Sequence, residues 1–358
     1  MPINRQYHTW FKRIRELRPK QRVTQVRNFV WLLVGIHQSR SVTLSKIAGK
    51  IPGKAKLLST VRRLGRFLNN PAIQVRDWYE SIASAWLTAQ FRRLGEIHLV
   101  VDGTKIGSRH QLLMVCLTYR KRAIPLAWTW VPHVRGHSSA VKQLALLAYV
   151  RSLIPAGAPV FLVGDCEFGA VSVLRQLEGW HWLYVLRQKS DTCLWFSEEQ
   201  GWQPFGSFIQ KPGQSFWLGA GYLARNHIFR VNLLVHWKRG EKEPWCLATN
   251  LPDKRTALRF YRYRGWIEEM FGDFKKHGFD LEATKLGSFQ RLSRLTLAVA
   301  ILYVWLVSVG TQTIRSGDRH LVDRKDRRDL CIFQIGLRFI ERCLTNALAF
   351  NIPLCSYR

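Results

Sequence analysis

A chain of 358 residues, 47% of them hydrophobic, is long enough for two or three domains and too apolar to be a disordered basic tail. Fifty-five Lys and Arg stand against 24 Asp and Glu, a formal net charge of +31, which calls for a polyanionic partner: nucleic acid first, an anionic membrane surface second. The seven cysteines are odd in number and form no C-x-x-C pair, which argues against a zinc module and a disulfide framework and for a reducing cytoplasm.

The opening "MPINRQYHTWFKRIRELRPKQR" is basic but lacks a continuous apolar core, so it is not read as a signal peptide. From Met1 to Gly95 there are 19 Lys and Arg and three acids (Glu16, Asp77, Glu80), so about a quarter of the chain carries half the excess charge. Residues 1–95 are therefore predicted to be a helical, basic DNA-docking region. Within it "NFVWLLVGIHQSR" reads as a compact apolar helix, and Gly49, Pro52 and Gly53 break "TLSKIAGKIPGKAKLLSTVRRLGRFL" into two helical pieces. The second piece carries Arg62, Arg63 and Arg66. Two readings stay open here: a helix-turn-helix-like unit, or an ordinary helical bundle with a solvated basic face.

At Glu96 the pattern changes. "IHLVVDGTKIG" is a β-branched run expected to close at Asp102, and "QLLMVCLTYR" and "AIPLAWTWVP" are expected to form an antiparallel hairpin about a basic turn. A helix, "AVKQLALLAYVRSLI", leads to a second buried strand, "PVFLVGDCEFG", expected to end at Asp165. A further helix and the strand "WHWLYVLRQ" follow. The stretch from Lys189 to about residue 252 is rich in Trp, Phe, Gly and Pro and reads as a mostly β insertion. One helix is then predicted from Asp253 to Gly278 and another over 291–310, whose apolar run "LTLAVAILYVWLVSVG", Leu295–Gly310, reads as buried core too short to span a bilayer. A charged stretch and a short apolar helix form the tail. The predicted division is thus 1–95, a catalytic region split into 96–188 and 253–312, a β-rich insertion at 189–252, and a helical tail at 313–358.

Two buried strands each ending in a lone carboxylate need an explanation, because a desolvated acid must be paired or bind a cation. Each Asp alone is accounted for by capping of the turn that follows; the pair makes a site competitive. A third carboxylate comes from "YRYRGWIEEMFGDFKK". With about 100° per residue and Tyr261 at zero, Arg264 falls near 300°, Glu268 near 340° and Lys275 near 320°. These four form one stripe beside an apolar face of Trp266, Ile267, Met270, Phe271 and Phe274, while Glu269 and Asp273 point elsewhere. An i,i+4 ion pair between Arg264 and Glu268 explains part of this. Three acids from two strands and a helix also suit hard divalent cations, with Arg264, Lys275 and the Tyr261 hydroxyl placed to grip phosphates beside them.

Tyr261, Arg264, Glu268 and Lys275 have the spacing of the Tyr-Arg-Glu-Lys signature, and with Asp102 and Asp165 upstream the chain resembles DDE transposases of the insertion-sequence-four group, the Tn-ten- and Tn-five-like enzymes. "GWHWLYVLR" and "EPWCLATNLP" look similar to segments of that group, and the resemblance covers roughly residues 96–310. It implies an α/β, ribonuclease-H-like core interrupted by a β insertion. It further implies a metal-binding triad of Asp102, Asp165 and Glu268 holding two Mg²⁺ ions, which Mn²⁺ can replace. By the same resemblance Tyr261, Arg264 and Lys275 contact phosphates, and Trp245 stacks on a base flipped out near the transposon end. Implied partners are double-stranded DNA, as transposon ends and target, and a second copy of the chain in the synaptic complex; the implied place is the bacterial cytoplasm, at the nucleoid. Cys166 departs from the group, whose members often carry Arg there. The alternatives are a ribonuclease-H-like, metal-dependent nuclease without strand transfer, and an inactive DNA-binding copy.

Overall fold

The computed structural model describes residues 2–132, 138–224, 226 and 228–357. The chain divides into two compact units, Met1–Ala89 with Met270–Arg358, and Gln90–Glu269.

The first unit is helical. Its N-terminal segment forms α1 (Pro2–Leu17), α2 (Val23–Ser39), α3 (Leu44–Ala48), α4 (Leu57–Asn69) and most of α5 (Val75–Leu94). The chain returns with α10 (Phe289–Arg315) and α11 (Ile332–Thr345). By length and composition α10 would cross a membrane, with a mean hydropathy of 1.9, but 94% of its apolar window is buried inside the protein. It is longer than the 291–310 expected, because Phe289 and Gln290 at its start and the polar turn from Thr311 to Arg315 at its end are helical too. A core helix takes such residues at its ends, where hydropathy gives no signal. Helix α11 crosses α10 with backbones in close approach: a Cβ on Gly336 would strike the carbonyl oxygen of Leu306, and one on Gly310 that of Ile332. Trp10 and Trp305 meet edge to face at 5.1 Å in this core.

The second unit is built on one ten-stranded sheet in the order β3-β2-β1-β4-β5-β10-β9-β8-β6-β7. Strand β1 (Ile97–Ile106) pairs antiparallel with β2 (His110–Tyr119), which pairs antiparallel with β3 (Arg122–Pro132). The turn between β2 and β3 places Arg120 and Lys121 at φ 47° and 61°, the left-handed geometry that a tight hairpin demands. Helix α6 (Ala140–Leu153) leads to β4 (Val160–Gly164), parallel to β1, and α7 (Val171–Gly179) leads to β5 (Leu183–Gln188), parallel to β4. The β-rich segment supplies β6 (Cys193–Trp195), β7 (Trp202–Pro204), β8 (Ser215–Leu223), β9 (Phe229–His236) and β10 (Trp245–Thr249). These strands extend the same sheet, because β10 pairs antiparallel with β5.

Two expectations are corrected. Strand β1 does not close at Asp102: it runs on to Ile106, because β2 continues to pair with it through Ile106 and His110. What stops beside Asp102 is the parallel neighbour β4, whose last pair is Val101 with Gly164. The single helix expected over 253–278 is instead α8 (Lys254–Tyr261), a 3₁₀ turn over Arg262–Arg264 and α9 (Gly265–Phe274). The helix breaks next to Gly265, the residue with the least backbone restraint in the stretch. A uniform 100° step therefore does not hold from Tyr261 to Lys275.

Replacing Gly336 by Ala should destabilise the protein by about 1–3 kcal/mol, since the α10–α11 backbones must move apart. Urea or thermal unfolding checks it; an unchanged midpoint would contradict the close crossing.

Candidate active site

The parallel register of β1 and β4 brings two acids together. Val101 pairs with Gly164, so Asp102 and Asp165 occupy the next position on each strand. Asp165 leads into a 3₁₀ turn, Cys166–Phe168, without capping it by a side-chain hydrogen bond. The capping explanation thus fails for Asp165, while Asp102 Oδ1 accepts from the Gly103 N–H at 2.7 Å.

The third acid arrives from α9, and one guanidinium joins all three. Arg264 Nη2 lies 3.4 Å from Asp102 Oδ2 and 3.2 Å from Asp165 Oδ2, while its Nη1 lies 2.7 Å from Glu268 Oε1. The 3₁₀ turn ends at Arg264 and α9 starts at the next residue, so Arg264 and Glu268 form an i,i+4 pair at the mouth of the helix. Burial opposes the charge on Arg264, but the three carboxylates outweigh it and hold its pKa above the ordinary value. A second guanidinium, Arg187 on β5, has Nη1 3.9 Å from Asp165 Oδ1 and is shared with Glu243 at 3.1 Å.

The site is short of positive charge. Asp102 is 7% exposed, and burial pushes its pKa up to about 7, with Arg264 and the Gly103 N–H pulling the other way. Asp165 Oδ1 is buried and finds no hydrogen-bond donor among the described residues. Hard carboxylate oxygens, an unsatisfied buried oxygen and an excess of negative charge fit a divalent cation. As they stand, no three His, Cys, Asp or Glu side chains among the described residues are grouped to hold a metal ion; the guanidinium of Arg264 lies where the three carboxylates converge.

The remaining predicted residues take other positions. The Tyr261 hydroxyl is buried with no hydrogen-bond partner among the described residues, and burial raises its pKa. Its ring packs edge to face on Trp245 at 4.9 Å, and Trp245, half-buried at the start of β10, also leans on His236 at 5.4 Å. Lys275 is held 3.0 Å from Glu282. Glu269, expected to point away from the site, pairs with Arg122 at 3.0 Å.

Sequence reasoning missed Arg187 and Glu167. Arg187 was visible as the only cation in the apolar strand "LYVLRQ". Glu167, two residues after Asp165, accepts from the Ser138 N–H at 2.6 Å, the Ser138 hydroxyl at 2.5 Å and the Gln111 amide at 2.8 Å. Gln143 donates to the Glu167 carbonyl at 2.9 Å. Glu167 thereby ties the turn that carries Asp165 to β2 and to the segment leading into α6. A cleft of about 630 Å³ opens beside it, lined by Cys166, Glu167, Ser172, Arg175, Gln188 and Lys189 among others.

Residues 93–305 match the family described as the transposase DDE domain. The chain belongs to this family. It is an enzyme of the DDE type, and its relatives work with divalent metal ions on DNA. Among solved structures, this DDE transposase is similar to the cryo-EM structure of the piggyBac transposase synaptic complex with hairpin DNA, at 10% identity and a TM-score of 0.43 over 98% of this chain and 84% of that one. No curated protein matches.

The pKa of Asp102 makes stability depend on pH. Below the ordinary value of 3.8 both folded and unfolded chains hold the proton; above it the unfolded chain releases it first. The contribution of this residue is therefore greatest below about pH 4 and is lost as pH rises through about 7. In chelator, Asp102→Asn should unfold at the wild-type temperature near pH 4 and at a higher one at pH 8. A variant less stable than wild type at pH 8 would contradict the uncompensated charge.

Proposed function

We propose that this DDE transposase belongs to the insertion-sequence-four group and moves a bacterial insertion sequence. On this reading it binds the terminal inverted repeats as a homodimer in the bacterial cytoplasm, cuts the element free through hairpin intermediates, and joins its 3′-OH ends to target DNA. The observation that carries the reading is the convergence of Asp102, Asp165 and Glu268 on one guanidinium. The strand order β3-β2-β1-β4-β5, with β1, β4 and β5 parallel, supports a ribonuclease-H-like core with the later strands as its insertion.

Asp102, Asp165 and Glu268 are the residues that would hold two Mg²⁺ ions, which supply stabilisation of the attacking and leaving oxygens when bound. The chain's own groups do the rest. Asp102 and Asp165 are fixed at one level of the sheet, so their oxygens face the same point. Arg264, released from the carboxylates, is within reach of a scissile phosphate and would grip it in two places. Arg187 sits on the Asp165 side to take a neighbouring phosphate. Trp245 offers a half-exposed ring on which a base drawn out of the stack would rest, offsetting part of its unstacking cost. The ring of Tyr261 braces Trp245 from behind. Lys275, paired with Glu282, is a further phosphate contact on this reading.

Incubation with duplexes bearing the element's terminal repeats and Mg²⁺ tests this. Wild type should give hairpin-ended products and joined strands, and Asp102→Asn, Asp165→Asn or Glu268→Gln should lose cleavage by at least about a hundredfold while still binding the ends. Near-normal cleavage by any one of these variants would overturn the assignment. Nicks without joined products would identify a nuclease, and binding without any cleavage an inactive copy. End binding should also weaken steeply between low and physiological salt.

A further inference from the structure

Residues 17–76 hold thirteen Lys and Arg and no acid. In the middle of them α4 is fixed at one end and bare at the other. It buries Thr60, Leu64, Phe67 and Leu68. Beyond its C-terminus the buried guanidinium of Arg294 donates from Nη1 to the Leu68 carbonyl and from Nε to the Ile73 carbonyl, each at 2.9 Å. A cation on the last carbonyls of a helix is favourable and holds that end in place. At the other end residues 52–59 are all exposed, with Leu57 at 50% and Leu58 at 68%.

The outward stripe of α4 runs Leu58, Arg62, Arg66, one residue per turn, with Ser59 beside it and Lys54 and Lys56 in the preceding loop. Among the described residues none of these cations pairs with a carboxylate. A solvated basic face accounts for the cations but not for two exposed leucines leading them. Duplex DNA accounts for both, since its major groove is about as wide as a helix, is flanked by phosphates, and presents thymine methyl groups to apolar side chains. The short α3 packs against α4, and both pack against α2, which makes the three helices a helix-turn-helix-like unit.

We propose that α4 lies in the major groove and reads base edges with Leu58, Ser59 and Arg62, while Lys54, Lys56 and Arg66 hold the phosphates on either side. This rests on the reading of the chain as an enzyme that works on DNA, but it concerns sequence recognition and can be measured without cleavage. The full chain is used to select from a pool of randomised duplexes, with Asp102→Asn as a second bait. Both should enrich one motif. Leu58→Ala and Arg62→Ala should relax the preference over a run of about three or four base pairs, and Arg62→Ala should weaken the enriched duplex by about tenfold relative to an unrelated one. Lys56→Ala should weaken both duplexes alike and lower the salt slope by about one. All these residues are exposed, and thermal melts confirm that the variants stay folded. Enrichment of the unchanged motif by Leu58→Ala and Arg62→Ala, absence of any motif with wild type, or binding to phosphatidylserine vesicles in place of duplex would overturn the proposal. A motif that depends on α4 in a protein that cleaves nothing would leave this inference standing and remove the catalytic one.

Discussion

The sheet-bearing unit, Gln90–Glu269, is organised around an electrostatic imbalance. Three carboxylates meet at one point, and the protein offers them a single shared guanidinium, with Arg187 a more distant second. Such a cluster is costly unless a cation completes it: burial pushes the pKa of Asp102 up to about 7. Arg264 makes the fold tolerable by standing between the acids. Arg264 thus supplies a charge that all three carboxylates share.

The sheet and the broken helix make the convergence possible. Parallel pairing of β1 with β4 puts Asp102 and Asp165 at one level, and the early stop of β4 frees Asp165 from the ladder. The 3₁₀ turn over Arg262–Arg264 lets Tyr261 turn inward against Trp245 while Arg264 and Glu268 face the aspartates. The hydrogen bonds on Glu167 then hold the Asp165 turn from behind.

Much of this was legible in the chain. The two apolar runs that reach an acid, and the Arg-to-Glu spacing between Arg264 and Glu268, are local patterns with local causes. The hairpin was equally readable from its two apolar runs and the basic residues between them, although the turn falls on Arg120 and Lys121, one residue before the expected pair. The true length of β1 was not, because it depends on how far β2 accompanies it. Nor was the break after Tyr261, since a helical wheel assumes the uniform twist that a 3₁₀ turn destroys. The continuity of the β-rich segment with the main sheet depends on β10 finding β5, a pairing between residues more than fifty positions apart. Glu167 carried no signal of its own, because its partners come from Gln111 and Ser138, remote in sequence. Nothing in the sequence marks the leucines at the start of α4 as exposed; their accessibility alone does.

A crystal of the protein soaked in Mn²⁺ and measured at the manganese edge tests the central claim most directly. The account predicts anomalous density coordinated by Asp102, Asp165 and Glu268, with the Arg264 guanidinium swung out of the space between them. Manganese bound elsewhere, or carboxylates at 102, 165 and 268 that stay around Arg264 at saturating metal, would contradict it.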